Sequence, residues 1–304
     1  MRSILSYLLT YLKQLNTNLA FATLTLTALF IFINYYFGLN SYLGTLNHTA
    51  QLFGWFVVFV FAFGGVYFLT AVLLPGSFKP SSRFLLLVFI APILFAWKMS
   101  AGFDFHFSDD ENVNAYWKVI SYWPLKFIVI AFVLFLIWKF INKGEDRLGT
   151  RWQKLNIKPY LLMLLIMIPL VGAASLRPEF LAVYPKLQNI SYLTQSENSF
   201  LYKLLFELSY GIDFISIEVF FRGFLVIAFI KFAGKHAILP MAVFYCTIHF
   251  GKPLAECISS FFGGVLLGVI TYHTRSIYGG LIVHLGIAWM MELFGFFGNH
   301  FLLN

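Results

Sequence analysis

Ionisable side chains interrupt three strongly apolar stretches near the C-terminal end of the sequence. One stretch contains Glu218 and Arg222, which are four residues apart and so share a helix face on which they can pair. Two further stretches contain His249 and His284. A carboxylate, a guanidinium and two imidazoles that converge in a low-dielectric cavity can activate a water molecule or hold a metal ion. The structural alternatives are an ion pair that locks one helix to its neighbours and histidines that only bond adjacent helices.

The depth of these residues within their helices favours a shared site. At about 1.5 Å of rise per residue, Glu218 lies roughly 20 Å from Lys231 at the basic end of its stretch, and His249 lies at a similar depth. His284 lies roughly 13 Å from Arg275 by the same rise. The sequence therefore predicts that the three side chains meet in one layer, in the middle or outer half of a membrane.

The composition indicates an integral membrane protein. The 304 residues are 60% hydrophobic and only 11% charged, with a formal net charge of +8, and the mean hydropathy is +0.80. A soluble globular domain carries about 25% charged residues. This chain cannot cover a water-facing surface, which excludes a soluble enzyme, a disordered chain and a nucleic-acid-binding domain. Its positive charge is typical of cytoplasmic loops.

Apolar runs predict the elements that must position these residues. A helix needs about 20 mainly apolar residues to cross the hydrocarbon core. The fold class predicted is all-α, a polytopic membrane helical bundle of about eight to nine transmembrane helices. The nine segments lie near Leu19–Phe37, Leu52–Leu74, Phe84–Ala101, Trp123–Ile141, Pro159–Leu176, Phe200–Phe232, His236–Phe250, Pro253–His273 and Ser276–Gly298.

The segment before the first span predicts a helix lying in the membrane interface. Leu5, Leu8, Leu12 and Leu15 recur at helical spacing and follow a basic end. Loop charge then orients the spans. The loops with lysine and arginine fall on one side if nine segments cross, and the acidic loop 104–111 falls on the other. The positive-inside rule puts the N-terminus in the cytoplasm and the C-terminus outside, and the composition best fits a bacterial inner membrane.

The composition of the sequence also changes near residue 200. Residues 1–200 read as a transmembrane scaffold with few polar groups, and residues 201–304 as the membrane core that holds the site. Glu292 is interpreted as a solvated or interfacial charge. Cys246 and Cys257, which form no C-x-x-C pair, indicate neither a disulfide framework nor a zinc knuckle.

The ordered residues of the core resemble the CPBP (Abi) family of intramembrane peptidases, which includes CAAX-box prenyl-protein endopeptidases and bacteriocin-immunity proteins. The family pattern is Glu-Glu-x-x-x-Arg, then Phe-x-x-x-His, then His-x-x-x-Asn, on three helices. Glu218 matches the second glutamate, Arg222 the arginine, His249 the second-motif histidine and His284 the third-motif histidine. Tyr245 stands where phenylalanine is usual.

The resemblance implies roles for these residues and identifies two departures. Glu218, Arg222, His249 and His284 are the implied catalytic residues, and Glu218 with the two histidines would be the ligands if a divalent metal such as zinc is bound. Ile217 replaces the first glutamate, the usual general base, and Ala288 replaces the asparagine that would stabilise an oxyanion. The loss of one such donor typically costs roughly 10²–10³ in rate.

Three functions remain open from the sequence. The first is an intramembrane endopeptidase that acts on a membrane peptide or protein substrate. The second is a catalytically silent relative that binds a membrane partner in the same cavity, as an immunity-type protein would. The third is a transporter, although the sequence lacks the paired broken helices expected in two halves. The implied partners are a membrane substrate and the lipid bilayer, with no nucleic acid.

Overall fold

The computed structural model describes residues 2–78, 80–141, 147–151, 155–190 and 198–302. Within these ranges the fold is helical and contains no strand. Several charged residues used to orient the loops lie outside the described residues: Lys79, Lys143, Glu145, Asp146 and Lys154. The predicted class, a helical membrane bundle, is confirmed.

Each of the nine predicted segments coincides with a helix, and the N-terminal segment is helical as well. The long helices, numbered α1 to α10, are Arg2–Lys13, Thr17–Phe37, His48–Leu73, Ser82–Ser100, Glu111–Phe140, Lys158–Ala174, Ser199–Glu218, Ile238–Thr247, Leu254–Thr274 and Tyr278–Leu302. Short helices occupy Leu39–Gly44, Pro178–Leu181 and Ile230–Ala233, and short 3-10 turns occupy Arg147–Gly149, Lys186–Ile190, Ile227–Phe229 and Gly234–Ala237.

Among the described residues, six helices are long and apolar enough to cross a membrane: α2, α3, α4, α5, α9 and α10. Helix α6 is apolar but shorter. The chain is therefore an integral multi-pass membrane protein. The count of eight to nine spans and the cytoplasmic position of the N-terminus stay predictions.

Local capping chemistry sets where several helices begin. The side chain of Asn16 accepts a hydrogen bond from the Leu19 amide at the start of α2, and Asn47 does the same at the start of α3. Ser81 caps α4 in the same way. Each cap satisfies an amide that has no partner within its own helix. Helix α2 ends at Gly38, whose φ of +69° is available at low cost only to glycine.

The described chain divides into two compact units. The first unit consists of Met1–Ala101, Leu134–Lys154 and Val219–Tyr278, and the second of Gly102–Val133, Leu155–Glu218 and Gly279–Asn304. Each unit therefore takes segments from both sides of residue 200. The predicted division into a scaffold and a core concerns composition and role, and it stays a prediction.

Close helix packing characterises the first unit at α8 and α9. A Cβ atom on Gly264 would lie 3.3 Å from the Cα atom of Ala242, and one on Gly268 would lie 2.6 Å from the Met241 side chain. Small residues of this kind let two membrane helices approach closely.

The N-terminal helix α1 belongs to the first unit and contacts it through an aromatic residue. Tyr11 is buried against Ile238 and Val269, whereas Leu5 and Leu12 are about half exposed. The helix that the leucine spacing predicted is present, and its position in the membrane interface stays a prediction.

The second unit has an aromatic core and a buried carboxylate. Tyr116, Phe206 and Tyr210 pack in one cluster, and the Tyr116 hydroxyl donates to the Tyr202 carbonyl at 2.8 Å. The interpretation of Glu292 as a solvated charge is wrong. Its side chain is buried and accepts a hydrogen bond from the Lys186 amide at 2.8 Å. A buried carboxylate needs such donors, because they replace the water that it has lost.

Candidate functional site

The helix that carries Glu218 changes its hydrogen-bonding pattern at the site. Helix α7 ends at Glu218, and the chain continues as a π-helix over Val219–Val226 and a 3-10 turn over Ile227–Phe229. π-helical turns are rare and occur often at functional sites, since the wider turn changes the direction of the side chains that follow it. The sequence predicted one continuous run here, because apolar patterning does not distinguish an α-turn from a π-turn.

Gly223 lies in the π-helix at a point where backbones approach closely. A Cβ atom there would come within 2.5 Å of the Leu148 carbonyl oxygen. Backbone cannot move aside as easily as a flexible side chain, so this position requires glycine.

Glu218 and His284 form a direct contact inside the second unit. The Nδ1 atom of His284 lies 3.0 Å from Oε1 of Glu218, although the residues are 66 positions apart. Glu218 is fully buried, and the His284 side chain is 13% exposed. Because an ionised carboxylate can only accept, Nδ1 of His284 is the donor, and in the neutral imidazole Nε2 is then the acceptor. The prediction that Glu218, His249 and His284 surround one cavity stays a prediction.

Aromatic packing and close helix approach hold the His284 ring. The ring of Phe214, one turn before Glu218 on α7, stands edge-on to the imidazole with centroids 4.7 Å apart. Further along the same helix, a Cβ on Gly211 would be in ordinary contact, at 3.5 Å, with Leu285 and Trp289 of α10. A methyl group at position 211 would therefore fit against α10 without displacing it.

Arg222 and His249 belong to the first unit, where both contact Tyr245. The guanidinium of Arg222, which is fully buried, lies 4.4 Å from the centre of the Tyr245 ring. A desolvated cation–π contact of this kind is worth about 2 kcal/mol. Nδ1 of His249 lies 2.8 Å from the Tyr245 carbonyl oxygen. Since a carbonyl only accepts, Nδ1 donates, and Nε2 is the acceptor of the neutral His249 ring.

The structure thus places the four predicted residues as two pairs of neighbours. Glu218 and His284 touch in the second unit, and Arg222 and His249 share Tyr245 in the first. The convergence of all four in one cavity stays a prediction. Phe214 is a positioning residue that the sequence reasoning did not single out, and Tyr245 was noted only as a departure from phenylalanine. Tyr245 stands four residues before His249, and that spacing is a usable signal.

Both departures from the family pattern are buried. Ile217 is buried, and Ala288 packs in the aromatic cluster around Tyr210 and Phe214. Neither side chain can accept a proton or donate a hydrogen bond, so neither replaces the group that the pattern would supply.

Among the residues that the structure describes, no three histidine, cysteine, aspartate or glutamate side chains form a group that could hold a metal ion. The predicted metal role of Glu218, His249 and His284 gains no support from this arrangement, and no step below uses a metal.

Part of the chain matches a known protein family. Residues 200–290 match the family described as type II CAAX prenyl endopeptidase Rce1-like. The matched range contains Glu218, Arg222, His249 and His284, and it confirms the resemblance to the CPBP and CAAX proteases. This segment is therefore similar to the Rce1-like domain of that membrane peptidase family. Neither the curated proteins nor the solved structures include a significant match to the chain.

Proposed function

We propose that the protein is an intramembrane endopeptidase that hydrolyses a peptide bond of a membrane peptide or protein. The observation that carries this proposal is the 3.0 Å contact between Glu218 and His284 within a segment that matches a prenyl endopeptidase family. A fully buried carboxylate with a histidine donor is costly in lipid and is kept where it has a task.

The proposed chemistry follows from the donors and acceptors of each group. Glu218 removes a proton from water, and the resulting hydroxide attacks the carbonyl carbon of the substrate. The N–H of His284 stabilises the Glu218 carboxylate before the transfer and orients it. When the tetrahedral intermediate collapses, Glu218 returns the proton to the departing amine.

The family resemblance implies roles for two residues of the first unit. His249, whose Nδ1 donates to the Tyr245 carbonyl, would orient a water molecule through Nε2. Arg222 would supply a permanent positive charge, which lowers the cost of negative charge on a substrate oxygen.

The test is cleavage of membrane-tethered peptides by the full chain in proteoliposomes. Glu218→Gln keeps the shape of the side chain and removes the base, and we expect a fall of about 10²–10⁴ in kcat/KM. The kcat/KM of the His249→Ala variant should also fall. Glu207→Gln makes the same chemical change on the same helix α7 and should retain activity. Cleavage that neither Glu218→Gln nor His249→Ala alters would refute the proposal.

The burial of the apolar residues Ile217 and Ala288, where the family pattern has polar groups, favours a second candidate, a catalytically silent relative. Such a protein would bind a membrane peptide or partner helix in the same region without cleaving it. Wild-type protein that binds tethered peptides but releases no product would support this candidate over the first.

A further inference from the structure

The two cysteines of the chain lie side by side in the first unit. Cys246 stands near the end of α8 and Cys257 in the first turn of α9. Their Sγ atoms are 3.8 Å apart, and both residues are buried, with 1% and 0% of their surface exposed. These are the only cysteines in the 304-residue sequence, so the contact brings together both thiols of the protein.

The contacts around the thiols hold the two side chains facing each other. The Cys246 thiol donates to the Cys257 carbonyl at 3.3 Å, and the Cys257 thiol lies 3.7 Å from the Cys246 carbonyl. A disulfide needs an S–S distance of about 2.05 Å, so the sulfur atoms must approach by about 1.8 Å. Rotation of two side chains at the ends of closely packed helices can supply this movement.

The cysteines bracket the connection that carries His249. This connection is fastened to α2, because the Asn34 amide donates to the Phe250 carbonyl at 3.0 Å and the Tyr35 hydroxyl to the Lys252 carbonyl at 2.6 Å. A bond between Cys246 and Cys257 would close a covalent ring around His249. The state of the two thiols therefore bears directly on how freely this histidine moves.

We propose that Cys246 and Cys257 form a reversible disulfide when the membrane contains organic hydroperoxides. The first thiol gives up its proton and its sulfur attacks the terminal peroxide oxygen; the O–O bond breaks, and the departing alkoxide takes the proton, which yields a sulfenic acid and an alcohol. The second thiol then attacks the sulfenic sulfur and releases water. One hydroperoxide is reduced, two thiols are oxidised, and one S–S bond forms. An apolar oxidant suits the pair because both sulfur atoms are buried among apolar helices.

The disulfide restricts the movement of the connection between α8 and α9. It thereby regulates His249, which this connection carries. That regulation rests on the proposed function of His249, whereas formation of the disulfide does not.

The test exposes reduced, purified full-length protein in detergent to cumene hydroperoxide. We expect the intact mass to fall by two hydrogens, peptide mapping to find Cys246 joined to Cys257, and a phosphine reductant to reverse both changes. Cys246→Ser and Cys257→Ser remove the partner and should instead accumulate sulfenic acid that dimedone traps. Wild-type protein that gives sulfinic or sulfonic acids, or only intermolecular dimers, would overturn the proposal.

A second measurement separates this inference from the proposed function. Peptide cleavage is compared before and after oxidation in the wild type and in the Cys246→Ser/Cys257→Ser double variant. A change confined to the wild type supports control of the His249 connection. Disulfide formation in a protein that cleaves nothing would refute the endopeptidase and leave the redox pair standing, and equal activity of both oxidation states would refute the regulatory role.

Discussion

The His284 imidazole donates a hydrogen bond to the fully buried Glu218 carboxylate across 3.0 Å, within the second unit. The two residues lie on different helices, so this bond fixes the direction in which the carboxylate points. The pair is therefore the part of the site on which a general-base mechanism depends most directly.

Replacement of His284 tests the value of this bond. We expect His284→Ala to lower kcat/KM by about 10- to 150-fold, since a hydrogen bond to a charged group is worth about 1.5–3 kcal/mol. His284→Asn places an amide donor near the position of Nδ1 and should recover part of the loss. His300→Ala, on the same helix, is the control that should retain activity. Equal losses for the alanine and asparagine variants would argue against a role for the Nδ1 donor.

Tyr245 offers a prediction about its ring rather than its hydroxyl. Tyr245→Phe keeps the aromatic face under Arg222 and the backbone carbonyl that holds His249, so peptide cleavage should change little. Tyr245→Ala removes the ring from a buried guanidinium and should lower both the thermal midpoint and kcat. The two variants are compared in one detergent by thermal unfolding and peptide cleavage. A phenylalanine variant as impaired as the alanine variant would show that the hydroxyl matters instead.

Restoration of the family pattern distinguishes the two candidate functions. Ile217→Glu with Ala288→Asn supplies the missing carboxylate and the missing amide donor. If the protein is an impaired endopeptidase, the pair should raise kcat by about 10²–10³, the usual contribution of one such donor. Because Ala288 packs in an aromatic cluster, the larger asparagine should also lower the thermal midpoint. Ile217→Gln with Ala288→Ser is the matched control, and an activity that stays at zero would place the limitation elsewhere.

The predicted topology can be read by cysteine labelling, because the native cysteines are buried. Ser108→Cys lies in the acidic loop and Ser77→Cys in the connection between α3 and α4, and both positions are exposed. In intact cells that express the protein, an impermeant maleimide should label the variant at position 108 and spare the one at position 77 until the membrane is permeabilised. Unaltered protein should stay unlabelled throughout. The opposite pattern would reverse the orientation derived from loop charge.

An exposed ion pair between the acidic loop and the first turns of α5 gives a pH-dependent prediction. Lys118 donates to Asp104, and this hydrogen bond together with the lysine charge lowers the pKa of Asp104 below its usual value. The attraction between Lys118 and Asp104 is therefore present at neutral pH. It is lost as the pH falls through the lowered pKa of Asp104. Lys118→Met should raise that pKa, so carbodiimide should modify Asp104 faster at about pH 4, where a normal aspartate is half protonated. Mass spectrometry of the loop peptide measures the rate of Asp104 modification, and Lys203→Met is the control. Equal rates in the Lys118→Met variant and the unaltered protein would contradict the coupling.

Hydropathy and spacing were sufficient to predict every long helix and to select the residues of the candidate site. The reason is that each of these properties is local. A run such as Thr17–Phe37 must be helical in lipid because its backbone groups have no other partners there. Glu218 and His284 stand out because a charge within such a run needs compensation.

Only the tertiary structure decided which residues touch. It brought His284 to Glu218 and Cys246 to Cys257, and it buried Glu292 against two backbone amides that lie far away in the sequence. It also introduced the π-helix after Glu218, which the apolar pattern does not signal. Apolar periodicity states which face of a helix avoids water, but the partner of that face is set by packing between segments, and packing depends on the shapes of side chains throughout the chain.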